Sequence, residues 1–193
     1  MAMKIIGITY YNGEERIVLK GDSSLLNNKK PFFMPAEHMS LRATRCMVVR
    51  VSRLGKAIAP TFAYRYYDAT AHGLNFWDET LLKEGKWTEG YCFDYSLCVG
   101  TFEMQGEMQD ARCKMQNEMQ DARCKMQNAT PYGLCKMQDD WSLVVSIDEA
   151  IARVSRLMTI RQGDYIFIDR KEEPLCLVRN QIIEENGLYC KIK

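Results

Sequence analysis

Residues 44–51 read TRCMVVRV. The stretch belongs to an uninterrupted strand over 43–51, with no glycine or proline to break it. Successive side chains of a strand alternate between faces, so Thr44 and Cys46 share one side of the pleat. What lies opposite them decides whether the chain is an enzyme: a metal ion, a substrate, or the protein's own core.

Working outward, 4–10 (KIIGITY) and 16–20 (RIVLK) read as two strands joined by a turn at Asn12-Gly13, a strong hairpin signal. Prolines hold 29–35 (KKPFFMP) extended. The stretch 60–70 (PTFAYRYYDAT) reads as a helix with proline in its first turn, and Phe62, Tyr66 and Ala69 on one face. Strand returns at 74–77. A short helix over 78–84 stops at Gly85, and 91–99 reads as strand or loop. Ser146 and Glu149 form a capping-box pattern before Ile147, Ile151, Val154 and Met158, which predicts a helix over 146–160. Strands follow at 165–168 and 187–192. Strands outnumber helices without regular alternation, so the expected class is α+β, mainly β.

The chain has 193 residues and a formal net charge of +1, which suits one domain over 1–193. That balance gives no reason to expect nucleic acid or a membrane as partner. No run approaches the length of a transmembrane helix, and the start lacks a signal peptide's pattern, so the cytoplasm is the expected compartment. Tyr64, Tyr66 and Tyr67 with Arg65 suit core or dimer packing better than base stacking. Arg153, Arg156 and Arg161 suit the solvated face or carboxyl end of the late helix.

Eight cysteines, none spaced C-x-x-C, and two histidines, His38 and His72, offer no zinc-ribbon or thioredoxin pattern. Small buried hydrophobes are the expected role. Between them lies an oddity: EMQDARCKMQN at 107–117 recurs without a difference at 118–128, and CKMQ returns at 135–138. Two copies of an 11-residue unit make a local duplication, not a repeat architecture. Soft copper(I) ligation by Met115 and Cys113 is the functional alternative to packing.

Four blocks together resemble the fumarylacetoacetate hydrolase family: KGDSSLLNNKKPFFMP (20–35), VVRVSRLGKAIAPTFAYRYYDATAHGLNF (48–76), KWTEGYCFDYSLCVG (86–100) and SIDEAIARVSRLMTIRQGDYIF (146–167). The resemblance spans about 1–103 and 141–168. It implies a mixed β-roll and a dimer. It also implies a Mg²⁺ or Mn²⁺ held by a Glu-x-Glu pair and an aspartate, for hydrolysis, decarboxylation or tautomerisation of keto or enol acids. Residues i and i+2 of a strand can converge two carboxylates on one hard cation.

Laid on that pattern, the glutamate positions fall on Thr44 and Cys46, and the aspartate on Asn75. The lysine of the family's Lys-x-Phe-Asp falls on Tyr91, while Phe93 and Asp94 remain. The arginine of its Ala-Arg-Asp is missing from Asp78-Glu79-Thr80, and IDRKEEP stands where a substrate-binding Gly-Thr-Pro loop would follow. Thr44, Cys46, Asn75, Tyr91 and Asp94 are therefore the expected pocket residues. No catalytic residue and no metal ligand is assigned. A Cys46–His72 dyad and Asp94 as general base are the sharper readings; an inert thiol and a structural turn are the plainer ones.

The expectation is a family protein that has lost metal-dependent catalysis and binds no cofactor. It would act as a homodimer, as the partner of an intact paralogue, or as a binder of a small carboxylic acid. The alternative is a hydrolase, decarboxylase or isomerase of keto acids that holds Mg²⁺ or Mn²⁺ through an altered ligand set.

Overall fold

Asn12 and Gly13 both take positive φ, 50° and 85°, and close the predicted hairpin between Ile5–Tyr11 (β1) and Glu14–Lys20 (β2). The computed structural model describes residues 3–35, 40–104 and 142–193. The duplication at 107–128, with Cys113 and Met115, lies outside the described residues, as does His38.

The remaining strands are Leu25–Asn27 (β3), Pro31–Phe32 (β4), Leu41–Val51 (β5), Tyr67–Asp78 (β6), Leu97–Val99 (β7), Glu103–Met104 (β8), Tyr165–Asp169 (β9), Leu175–Cys176 (β10), Ile182–Glu185 (β11) and Leu188–Ile192 (β12). Among the described residues the α-helices are Glu79–Lys83 (α1), Trp87–Tyr91 (α2) and Ile147–Leu157 (α3). Among the described residues, one mixed sheet runs β2-β1-β9-β5-β6-β7-β3, with β8 beside β6 and β10 beside β5. A smaller sheet runs β11-β12-β4. This is the expected α+β, mainly β class.

The long β5–β6 ladder is the spine, with Thr44 opposite Asn75 and Cys46 opposite Gly73. It overrides the helix expected over 60–70. Only Pro60–Arg65 coils, as a 3-10 turn, and β6 begins at Tyr67, which pairs with Val51 past a bulge. The expected strand at 74–77 is the end of this longer one. Tyr64 and Tyr67 are buried in the core. In α3, Ser146 Oγ accepts from the Glu149 backbone N–H at 3.3 Å. The Glu149 carboxylate turns to Arg153 at 3.0 Å, so the cap is one-sided. The helix ends at Leu157, three residues short of the expected limit, and Ile160 instead bridges Gly55.

One face of the sheet is covered by α3, through Ile6, Ile8, Met47, Val49, Ile166 and Ile168, and farther along by the smaller sheet. The other face turns inward as a roll. Lys20 on β2 reaches the carbonyls of Phe76 and Ser96, beside strands near the far end of the sheet order, so the two ends of the sheet meet. The interior is filled by Cys46, Val48, Ala71, Leu97, Val99 and Phe167. A Cβ built on Gly7 would fall 2.0 Å from Phe167 Cζ, and one on Gly73 would fall 3.0 Å from Cys46 Sγ. Both glycines thus leave room for the side chain of their register partner on the neighbouring strand, Phe167 and Cys46. Gly7→Ala is predicted to cost about 1–3 kcal/mol in urea denaturation, with partial recovery when Phe167→Leu is added. Additive losses in the double variant would refute this packing.

Candidate functional site

The β5–β6 register places Thr44, Cys46 and Asn75 together on the inward face, where β9 adds Asp169 opposite Cys46. All four side chains are buried. Asn75 Nδ2 donates to both Asp169 carboxylate oxygens at 3.2 Å, and the Tyr10 backbone N–H donates to the same group. Trp77 Nε1 donates to Thr44 Oγ1 at 3.0 Å. Tyr91, at the end of α2, is buried too, and its hydroxyl shares a hydrogen bond with Thr9. Burial and the nearby Asp169 push that phenol well up, so it stays neutral.

Lys20 completes the cluster. It is 1% exposed, and its Nζ donates to Ser96 O at 2.8 Å, Ser96 Oγ at 2.9 Å and Phe76 O at 3.4 Å. Ser96 Oγ in turn donates to Tyr91 O at 3.1 Å. Every proton of the ammonium thus has an acceptor. β2 carries an inverted pattern: Ile17 and Leu19 are exposed while Lys20 is buried. Sequence reasoning missed Lys20, Asp169 and Thr9. The available signal was a charged residue closing each apolar strand run, LK at 19–20 and IFID at 166–169.

Asp94 is exposed, apart from this cluster, in the loop between α2 and β7. His72 pairs with Met47 in the ladder and so points to the face opposite Cys46. The Cys46–His72 dyad is therefore set aside. Burial first, then Asp169, pushes the Cys46 thiol well up, which keeps it protonated and inert. The cysteines among the described residues are all free. Cys46, Cys98 and Cys190 are buried, but Cys92 is half-buried and Cys176 exposed, against the expectation of uniform burial.

A hard dication fits these groups poorly. Mg²⁺ wants about six oxygens with anionic charge among them. Here Thr44 already accepts from Trp77, Cys46 is a neutral thiol, and Asn75 contributes an amide. Asp78 caps α1 through the Thr80 and Leu81 N–H groups, and Glu79 pairs with Arg42 and Lys83, so neither turns inward. Among the described residues Asp169 is the single carboxylate in the cluster, burial favours its protonated form, and the Lys20 amine stands nearby. Among the described residues, no three His, Cys, Asp or Glu side chains are grouped to hold a metal.

Burial pushes Asp169 up to about 8, against the pull of Asn75 and Lys20, and lowers Lys20 to about 7. The folded chain therefore holds the Asp169 proton more tightly than the unfolded chain. That stabilisation is complete below the ordinary carboxylate range and is lost as pH rises through about 8. Lys20 acts oppositely, with stability recovering from about pH 7 toward the ordinary lysine range. The pair predicts a trough in stability near neutral to mildly alkaline pH. Asp169→Asn should abolish the decline on the acid side of that trough, read as urea midpoints across pH. An equally steep decline in the variant would refute the assignment.

No family model and no curated protein sequence matches this chain. Solved structures do. A structure from Yersinia pestis CO92 assigned to the fumarylacetoacetate hydrolase family superposes with TM-score 0.74 at 17% identity, covering 100% of this chain and 93% of that one. Fumarylpyruvate hydrolase from Pseudomonas aeruginosa, in complex with Mn²⁺ and pyruvate, gives 0.71 at 14%, covering 100% and 89%. 5-Carboxymethyl-2-hydroxymuconate delta-isomerase from Mycobacterium smegmatis gives 0.69 at 14%, covering 99% and 78%. The fold of this chain is therefore the fumarylacetoacetate hydrolase fold.

Proposed function

We propose that this chain is a fumarylacetoacetate hydrolase family protein, one domain over 1–193, that has lost metal-dependent catalysis. One observation carries the reading: the inward face where the resemblance places three carboxylates holds Thr44, Cys46 and Asn75, with a buried lysine closing the interior. A divalent ion entering this cluster would meet the Lys20 amine, which is partly protonated near neutral pH. It would also have to strip a proton from a thiol whose burial opposes ionisation, and displace an indole N–H from Thr44. Each step adds to the cost of dehydrating the ion.

A scaffold with this interior has three uses: self-association, pairing with an intact paralogue, or holding a small carboxylic acid without turnover. The cytoplasm is its proposed compartment. Among the described residues, no helix is long and apolar enough to cross a membrane. The Mn²⁺ and pyruvate of the Pseudomonas aeruginosa hydrolase belong to that protein, and the replaced positions are the reason for not carrying them over.

One feature favours the alternative of an altered ligand set. Asn75 Oδ1 is buried without a hydrogen-bond partner among the described residues, beside the Asp169 carboxylate. Those two groups offer at most one charge, from a carboxyl that burial holds toward its protonated form, far short of a hard cation's needs. Titration of purified protein with Mn²⁺ by electron paramagnetic resonance should show no saturable site, and pyruvate or oxalate should not shift Tm in its presence. Stoichiometric Mn²⁺ uptake with a rise of several degrees would install the alternative.

A further inference from the structure

We propose that the surface around the carboxyl end of α3 docks onto anionic lipid, without crossing the bilayer. Two segments build it. Residues 51–66 contain Arg53, Lys56 and Arg65 and no acid, and residues 150–163 contain Arg153, Arg156 and Arg161 and no acid. The fold joins them firmly: Gly55 and Ile160 exchange both backbone hydrogen bonds, at 3.0 and 2.9 Å, and the Ala57 N–H donates to Ser155 O at 2.8 Å. Arg153 leaves the group, because it pairs with Glu15 and Glu149.

The rest concentrates positive charge on a chain whose net charge is only +1. Arg53, Lys56 and Arg156 are exposed and have no carboxylate partner among the described residues; Lys56 Nζ donates to Arg156 O at 3.0 Å. The nearby acids are already engaged, Asp68 on Arg50 at 2.8 Å and the buried Asp164 on Lys4 at 3.3 Å. Among the cations stand three apolar side chains that packing leaves outside: Leu54 at 68% exposure, Leu157 at 61% and Phe62 at 50%. Arg53–Leu54 and Arg156–Leu157 repeat the same Ser-Arg-Leu triplet on the two joined segments.

Charge complementarity selects the occupant. A second copy docking this face on itself across a two-fold axis would set arginine against arginine. A single-stranded nucleic acid would want stacking rings, and Phe62 already lies under the Arg65 guanidinium, at 5.1 Å. Aliphatic side chains standing among cations suit an anionic headgroup layer, which attracts the charges while the leucines enter the acyl boundary.

The test is co-sedimentation of the full chain with vesicles of phosphatidylcholine alone and of phosphatidylcholine with phosphatidylserine in equal parts. Binding is expected to the mixed vesicles only, falling steeply with added salt. Arg53→Glu with Arg156→Glu should weaken it by about tenfold or more. Leu54→Ser with Leu157→Ser should also weaken it, with Tm unchanged because both leucines are exposed. Absence of binding to the mixed vesicles overturns the proposal, as does equal binding by the folded variants. Retardation of RNA without vesicle binding overturns it in favour of a nucleic-acid face.

Discussion

A charge removed from water must find its compensation inside the protein, and that requirement shapes the interior of this roll. Lys20 ends β2 pointing inward, and three oxygens near the far end of the sheet order receive it. Those bonds tie β2 to the loop before β7, and so link sheet ends that the strand order leaves apart. Asp169 brings a second titratable group from β9, held by Asn75 and by the Tyr10 backbone, and burial pushes it toward its neutral form. Around this polar end the packing is close: Phe167 occupies the space that a side chain at Gly7 would take. Breaking one partner of such a network leaves an uncompensated buried group, which costs far more than a surface ion pair contributes.

On the proposed reading, the same arrangement lets the fold persist whichever residues occupy its inward face. The strand register that brings positions 44, 46 and 75 to one face is a property of the β5–β6 ladder, indifferent to which side chains stand there. Carboxylates at those positions would repel one another unless a dication joined them. Threonine, cysteine and asparagine do not, so their packing calls for no ion. Tyr91 and Cys46 are held neutral by burial, so neither adds to the charge the interior must balance.

Local rules carried much of the fold. The Asn12-Gly13 turn, the Ser146 cap and the strand at 43–51 each rest on neighbouring residues, and each formed where expected. The stretch 60–70 failed because Phe62, Tyr66 and Ala69 also fit helical spacing, while the deciding interaction, pairing with β5, is distant in sequence. At the site, adjacency of Thr44 and Cys46 follows from a period of two, and the cross-strand place of Asn75 from the resemblance. Lys20 and Asp169 were passed over for a physical reason. A charged residue at a strand end ordinarily reads as solvated, and only the curl of the whole sheet buries these two. Ile17 and Leu19 lie outward for the same reason.

The most direct measurement is an anomalous difference map at the manganese edge, from crystals of the protein grown in Mn²⁺. The account predicts no peak among Thr44, Cys46, Asn75 and Asp169, with Lys20 Nζ seated on Ser96 as described. A peak at roughly 2.0–2.2 Å from the Asp169 and Asn75 oxygens, with the Lys20 side chain displaced, would contradict it.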